Sequence, residues 1–286
     1  MKTCALMLAR NEEWIIGLSA RAALKWFDNL IVFDHASADN TASIIKMVSD
    51  EHPGRLIYIR ENNQTWYEMA YRQRMLDAAR GVRATHIATV DADEVLCCGV
   101  WQKMLPVVES LKPGEILSMP LLCMWRSINK YRDDNSKWSK ENTPFIFRDA
   151  PGLYWRSNNG YDFHHRQPYG SINKQWSGLK RDGSLMHLQF VDWERLKIKH
   201  VWYKMVEVIR WPGREPVSRV DARYSKAVDE SGMVLAEAKK EWWECYGDIV
   251  NRLQVGHVPW HLQECREMMR KYGRDKFNGL NLWGVV

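Results

Sequence analysis

The sequence predicts an α/β protein: a mostly parallel central sheet, then an irregular region, then a helical C-terminal part. Three observations carry this. Short apolar runs alternate with amphipathic stretches through the first third. Three of those runs stop at a polar cluster. Near residue 123 the rhythm breaks, and longer helical periodicity returns toward the end.

Taken in order, Thr3 to Leu8 is short and apolar, the signature of a buried strand. Asn11 to Lys25 is apolar at Trp14, Ile15, Leu18, Ala22 and Leu24, which is helical spacing. Leu30 to Phe33 is a second buried strand. Ser37 to Thr41 supplies turn and capping residues for a helix from Ala42 to Ser49. Leu56 to Ile59 is a third strand, Trp66 to Arg80 a helix and His86 to Val90 a fourth strand. Strands that alternate with helices lie parallel in one sheet. Beyond them, Ile116 to Met124 and Phe145 to Arg148 are strand-like, and Arg126 to Thr143 is a polar loop. Gly152 to Gly183 is rich in Gly, Asn, Ser and aromatics, the composition of irregular binding loops. Asp192 to Trp211, most of Ser225 to Asn251, and Pro259 to Tyr272 are expected to be helical, with breaks at Pro212-Gly213 and Pro259.

Composition excludes several classes. With 45% hydrophobic and 27% charged residues the chain is neither disordered, collagen-like nor a coiled coil. No apolar run approaches the roughly 18 residues of a membrane span. The apolar N-terminus meets Arg10, Glu12 and Glu13 too soon for a signal peptide, so a cytoplasmic location is expected. The six cysteines (Cys4, Cys97, Cys98, Cys123, Cys245 and Cys265) contain no Cys-x-x-Cys pair, so a structural zinc site is not expected. They are expected as reduced, mostly buried thiols, since the adjacent Cys97 and Cys98 cannot easily bridge to each other.

In parallel α/β sheets ligands bind beyond the carboxyl ends of the strands. The polar clusters fall at those ends: Arg10-Asn11-Glu12, Asp34-His35 and Asp91-Ala92-Asp93. Asp91-x-Asp93 is the sharpest of them. Two carboxylates in a turn can share Mg²⁺ or Mn²⁺ with phosphate oxygens and water; the bland alternative is a solvated acidic turn. No Walker-type P-loop, G-x-G-x-x-G, G-x-S-x-G or H-E-x-x-H motif occurs. A phosphate would therefore be met by a metal rather than by a glycine cradle.

Four ordered segments resemble a known family: Leu8-Ala9-Arg10-Asn11-Glu12-Glu13, Asp34 to Thr41, Arg72-Gln73-Arg74, and Val90-Asp91-Ala92-Asp93-Glu94-Val95-Leu96. They look like the family 2-type glycosyltransferases of the Rossmann-like GT-A fold, in the branch with an Asp-x-Asp-Glu signature. The likeness covers roughly residues 3 to 120 and fades beyond 125. It implies a nucleotide-sugar-binding region at 1–122 and an acceptor-binding region with C-terminal helices at 123–286. It further implies that Ala9, Arg10, Asn11 and Glu12 line the nucleotide base and that Asp34 contacts base or ribose while Asp39 braces its loop. Arg72 or Arg74 would lie near the diphosphate. Asp91 would reach the ribose or the metal, with Ala92 beside it, and Asp93 would coordinate Mn²⁺ or Mg²⁺. His187 resembles a downstream histidine that completes the metal site in some relatives; its bland reading is a structural histidine. His35 and Gln73 depart from the residues common at their positions, which leaves the nucleotide open.

Transfer breaks the bond between an anomeric carbon and a diphosphate. A metal, helped by an Arg or Lys, neutralises the leaving charge. Inversion would need a carboxylate or His to take the acceptor proton. Asp162 is the leading candidate for that base, ahead of His164, His165 and Asp149, each of which could equally be an ordinary loop residue. Trp125, Trp138, Trp155 and Trp176 lie in polar segments and could stack on a sugar or base, with Arg126 beside them. Trp193, Trp202, Trp242 and Trp243 lie in expected helices and read as core.

The charge is uneven. Cys123 to Tyr224 holds 19 Lys and Arg against 11 Asp and Glu, a balance of +8, while the rest holds 22 against 24, or −2. The same stretch has 17 of the 33 aromatics, including the basic run Arg126, Lys130, Arg132, Lys137 and Lys140. The expected activity is sugar transfer from a nucleotide sugar, a UDP-sugar by analogy, to a saccharide of a surface or lipid-linked glycan. The basic, aromatic half keeps hydroxymethylated bases of phage DNA as the alternative acceptor. A nucleotidyltransferase and a non-catalytic sugar-binding protein are the remaining alternatives.

Overall fold

The computed structural model describes residues 1–140, 142–156 and 165–286. The chain forms two compact units, each gathered from three segments. The first comprises Met1–Cys123, Asn135–Leu188 and Ala238–Gln254; the second comprises Met124–Asp134, Gln189–Glu237 and Val255–Val286.

The first unit opens with β1 (Thr3–Ala9), α1 (Ile16–Trp26), β2 (Asn29–His35), α2 (Thr41–Glu51), β3 (Leu56–Glu61), α3 (Glu68–Gly81) and β4 (His86–Thr89). These match the expected elements to within a few residues except for α1, which starts five residues late. The reason is local. Asn11 has left-handed backbone (φ 53°), and Glu12 to Ile15 form a turn that feeds the helix. β5 (Glu94–Leu96), α4 (Val100–Ser110) and β6 (Glu115–Cys123) follow. Pro106 lies inside α4 and cannot donate a helical hydrogen bond, which blurs that helix in the sequence.

Among the described residues the main sheet runs β3-β2-β1-β4-β8-β6-β10-β5, with β8 at Asn142–Arg148 and β10 at Leu185–His187; β9 (Ile172–Gln175) also pairs with β6. β1, β2, β3 and β4 are mutually parallel. β8 inserts antiparallel between β4 and β6, and β5 runs antiparallel to β10. The buried runs of β1 and β2 pack under α3. Phe33 stacks on Tyr71 at 4.6 Å, inside an apolar cluster with Leu6, Ile31, Met75, Leu76 and Phe147. Each such side chain contributes about 1.5–3 kcal/mol when fully buried.

The polar stretch Arg126 to Thr143 holds two short elements, β7 (Lys130–Arg132) and α5 (Lys137–Lys140). The expected helix at Ser225 to Asn251 is absent. In its place stand β11 (Leu235–Glu237), paired antiparallel with β7, and short 3-10 turns. Gly232 (φ 67°) and Gly247 (φ 49°) take left-handed backbone and interrupt the helix there. The second unit is otherwise helical: α6 (Trp193–Arg210), α7 (Val217–Ser225) and α8 (His261–Tyr272). Asp192 caps α6 by accepting from the Arg195 N–H at 3.0 Å.

The thiol expectation is corrected at one pair. Cys98 and Cys245 form a disulfide across 147 residues, tying the 238–254 segment to the strand end after β5 within the first unit. Cys4, Cys97, Cys123 and Cys265 are buried free thiols. Adjacency did forbid a Cys97–Cys98 bridge; it said nothing of a distant partner. Among the described residues no helix is long and apolar enough to cross a membrane.

Candidate active site

The first two polar clusters are stitched together at the carboxyl ends of β1 and β2. The Asn11 N–H donates to Ser37 Oγ at 2.8 Å, and Asn11 Oδ1 accepts from the Ala38 N–H at 2.6 Å. The Glu12 N–H donates to Thr41 Oγ1, and the Glu13 N–H to Asp39 Oδ2 at 3.1 Å. Asp39 also accepts from the Thr41 N–H, so its carboxylate joins both loops. Ala36, like Asn11, has left-handed backbone (φ 51°), which an alanine adopts only where its surroundings enforce it. Ala9 is buried, while Arg10 is half-buried at the rim.

Asp34 is fully buried at the end of β2. It accepts from the Ser37 N–H (3.0 Å) and the Tyr58 hydroxyl (2.6 Å), with Arg60 at 3.4 Å. Burial and the bond to Asp34 push the Tyr58 hydroxyl up to about 12, so it stays a donor. Next door, the His35 ring is buried. Its Nε2 lies 2.9 Å from the Asn63 carbonyl, and its Nδ1 has no hydrogen-bond partner.

The third cluster is a tight turn between β4 and β5. The Glu94 N–H donates to the Asp91 carbonyl, and the Asp91 N–H donates to the Glu94 carboxylate at 2.9 Å. The Leu188 N–H donates to the Asp93 carbonyl, which pins the turn to the end of β10. This pairing brings His187 to the site: its Nε2 lies 3.4 Å from Asp93 Oδ1. Burial works against a charged imidazole, but the Asp93 charge and hydrogen bonds to Asp93 and Cys123 outweigh it and raise His187 to about 10. Ala92, between the two carboxylates, is buried.

Arg72 and Arg74 separate. Arg72 is buried, held by Glu68 at 2.8 Å, and its Nη2 reaches Asp91 Oδ1 at 3.7 Å. Arg74 pairs with Glu61 at 2.9 Å and lies over the Phe33 ring. Arg72 is thus the arginine beside the Asp91–Glu94 turn.

A residue missed in the sequence completes that turn. Arg166 binds Asp91 at 2.8 Å and Glu94 at 2.7 and 2.8 Å. Burial pushes the Asp91 carboxyl up, but Arg166 and Arg72 more than offset this and hold it low; Glu94, fully enclosed, is pushed up on balance. The signal in the sequence was indirect: three acids at a buried strand end demand cations.

Other expectations fare differently. Asp149 is held by Arg80 Nε and Nη2, each at 2.8 Å, and it follows β8 where that strand pairs with the start of β4. That is the opposite end of β4 from Asp91, so Asp149 is no base for this site. Asp162 and His164 lie outside the described residues. His165 is half-buried, with a ring Nε2 that lacks a partner, one residue from the arginine that binds Asp91. Trp155 is buried against Phe147 in the core of the first unit, its indole N–H donating to the His165 carbonyl. Trp125 is buried in the second unit, stacked on Phe190 at 5.2 Å and donating to Glu230. Neither offers the exposed face expected of it: each indole N–H had a partner to reach inside its own unit. Trp176 and Trp138 are half-buried. A Cβ on Gly178 would strike the Trp176 indole nitrogen at 1.9 Å, so glycine there lets that ring fold back over the chain. Arg126 is exposed, paired with Glu230 and stacked over Trp193 at 4.1 Å.

Among the described residues no three metal-binding side chains gather into a cage. Asp93 Oδ1 and His187 Nε2 lie 3.4 Å apart as an ion pair; a cation such as Mn²⁺ would take the carboxylate directly, and would take the imidazole only by displacing its proton.

The pattern described as glycosyl transferase family 2 matches residues 4–163, more than half of the chain and all of the site built on β1 to β4. No curated protein matches the chain. Among solved structures, S. aureus TarS 1-349 is 12% identical, covering 97% of this chain and 88% of that one, with a TM-score of 0.48. Its complex with UDP-GlcNAc is 13% identical over the same shares, with a TM-score of 0.47. Glucosyl-3-phosphoglycerate synthase from Mycobacterium tuberculosis, with Mn²⁺, uridine diphosphate and phosphoglyceric acid, is 16% identical over 42% of this chain and 43% of that one, with a TM-score of 0.33. The family match sets aside the nucleotidyltransferase and the non-catalytic binder. The chain belongs to glycosyl transferase family 2: it has the GT-A fold and is a nucleotide-sugar glycosyltransferase.

Proposed function

We propose that the chain moves a sugar from a uridine diphosphate donor to a hydroxyl of a saccharide acceptor, with a divalent cation held at Asp93 and His187. One observation carries this: Asp34, Arg72, Asp91, Asp93 and His187 all lie at or beside the strand ends of the first unit, where such sheets bind ligands. Asp34 is buried and would act by holding Ser37 and Tyr58 in place, while Asn11 and Asp39 fix the loops around the docking place of a base or ribose. The cation would neutralise charge on the departing diphosphate. Arg72 adds positive charge on the same side. His165 is the described residue that best suits the acceptor base.

The test is thermal melting of the wild type and Asp93→Ala with UDP, GDP, CDP and dTDP, each with and without Mn²⁺. A ligand at a hundredfold excess over its Kd stabilises by about 2.7 kcal/mol. UDP is expected to raise Tm only with Mn²⁺, and only in the wild type. A shift that ignores Mn²⁺ or Asp93 removes the cation from the reading, and a shift with another nucleotide replaces uridine.

A DNA acceptor remains the second reading, favoured by the +8 balance of the Cys123–Tyr224 stretch. Three of its ion pairs meet acids outside the stretch and so offset three of the eight excess charges; a fourth, Arg132 with Asp134, is already counted in the balance. Arg126 pairs with Glu230, Lys130 with Glu237, Arg132 with Asp134 and Lys174 with Glu115. That spending supports the saccharide as the first reading.

A further inference from the structure

Arg166 has no part in the reading above, yet the Asp91–Glu94 turn is built around it. A guanidinium carries five N–H donors, and each of these has an acceptor. Nε donates to the Pro144 carbonyl at 3.3 Å. Nη1 donates to Asp91 at 2.8 Å and Glu94 at 2.7 Å. Nη2 donates to Glu94 at 2.8 Å and the Thr89 carbonyl at 2.7 Å. The Thr89 hydroxyl returns a bond to the Arg166 carbonyl at 3.0 Å. The side chain is only 12% exposed.

This makes the two aspartates of the turn chemically different. Asp91 faces a guanidinium on each oxygen: Arg72 on Oδ1 and Arg166 on Oδ2. Asp93 faces His187. Glu94 is taken up by Arg166 and by the Asp91 N–H. A carboxylate held by two arginines is a poor ligand for a cation, because binding must first break charge-assisted bonds. Without Arg166, Asp91 and Glu94 would be two further anionic oxygen donors beside Asp93. Hard cations bind more tightly as carboxylates are added, whereas an incoming diphosphate would meet uncompensated negative charge.

We infer that Arg166 is a positioning residue that withholds Asp91 and Glu94 from the cation and keeps the turn open to a diphosphate. The inference rests on the donor-site reading above. Cation affinity is thereby set low in the absence of nucleotide, and the diphosphate completes the coordination.

The experiment uses the full chain as wild type, Arg166→Met, Arg166→Lys and Asp93→Ala. Binding of Mn²⁺ alone is read from the loss of the free-ion electron paramagnetic resonance signal, and UDP binding at fixed Mn²⁺ from calorimetry. Arg166→Met is expected to bind Mn²⁺ alone about tenfold more tightly and UDP about tenfold more weakly, the size of one charge-assisted hydrogen bond in each case. Arg166→Lys keeps a charge but loses the fork, so it moves both affinities the same way by less. It carries the test if the methionine variant does not fold. Parallel loss of Mn²⁺ and UDP binding would make Arg166 a mere buttress and overturn the inference, as would two unchanged affinities. Wild-type binding that is indifferent to Asp93→Ala sinks the donor-site reading itself, and this inference with it.

Discussion

Two histidines are buried as neutral rings, and each couples folding to pH. His35 is lowered by burial and then by Arg10, and His86 by burial and then by Arg148, from an ordinary value of 6.5. A base held below its unfolded value contributes stability above pH 6.5, and that stability is lost as pH falls toward the folded value. Each ring then costs about 1.4 kcal/mol per pH unit in that window. His187, which is raised, gains stability on acidification down to about 6.5, so the two lowered rings are read below that: melting curves between pH 6.5 and 5.5 are expected to show Tm falling on acidification. His86→Gln should melt with a shallower slope over the same range. A Tm that is flat, or that rises toward pH 5.5, contradicts the assignment.

Elements show where the sequence was legible. β1 to β4 and the first three helices could be read because apolar runs and capping residues act within a few positions of one another. The polar clusters at the strand ends were legible for the same reason. Arg166 was not, since its acidic partners lie more than 70 residues away and nothing local marks it. Trp125 and Trp155 misled because a polar neighbourhood in sequence does not exclude burial. Cys98 and Cys245 were illegible too: a bridge across 147 residues depends on where the 238–254 segment returns. That segment consists mostly of short 3-10 turns, held besides the disulfide by Trp242, whose carbonyl accepts from the Cys98 N–H, and by Tyr246, whose hydroxyl donates to the Leu96 carbonyl and accepts from Trp26. The disulfide should therefore matter to stability. Reductant is expected to destabilise the wild type by about 2–5 kcal/mol, whereas Cys98→Ser should already melt low and ignore reductant. Six free thiols by titration of the untreated protein would show that no bridge forms.

At the scale of the whole molecule, charge decides between the two acceptor readings. A basic surface that binds nucleic acid releases counterions, so its affinity falls steeply with salt. With the pairs described above in place, fluorescent double-stranded DNA is expected to bind weakly and to be released between 50 and 200 mM salt (roughly the range over which such contacts are lost), with no preference for hydroxymethylated bases. Retention at 200 mM, with such a preference, would favour the DNA acceptor.

The first unit is gathered from three stretches of chain, the last of them ending at Gln254. On the ribosome the unit cannot close until Gln254 has been made, although its leading strands exist long before. Until then β1 to β4 wait with one wall missing, exposed to the trapping that besets proteins of high contact order. The same arrangement bears on anyone cutting the gene. A fragment ending at residue 122 or 188 would carry the Asp91–Glu94 turn without the piece that is fastened behind it. The shortest stretch of chain that holds the whole first unit runs from Met1 to Gln254.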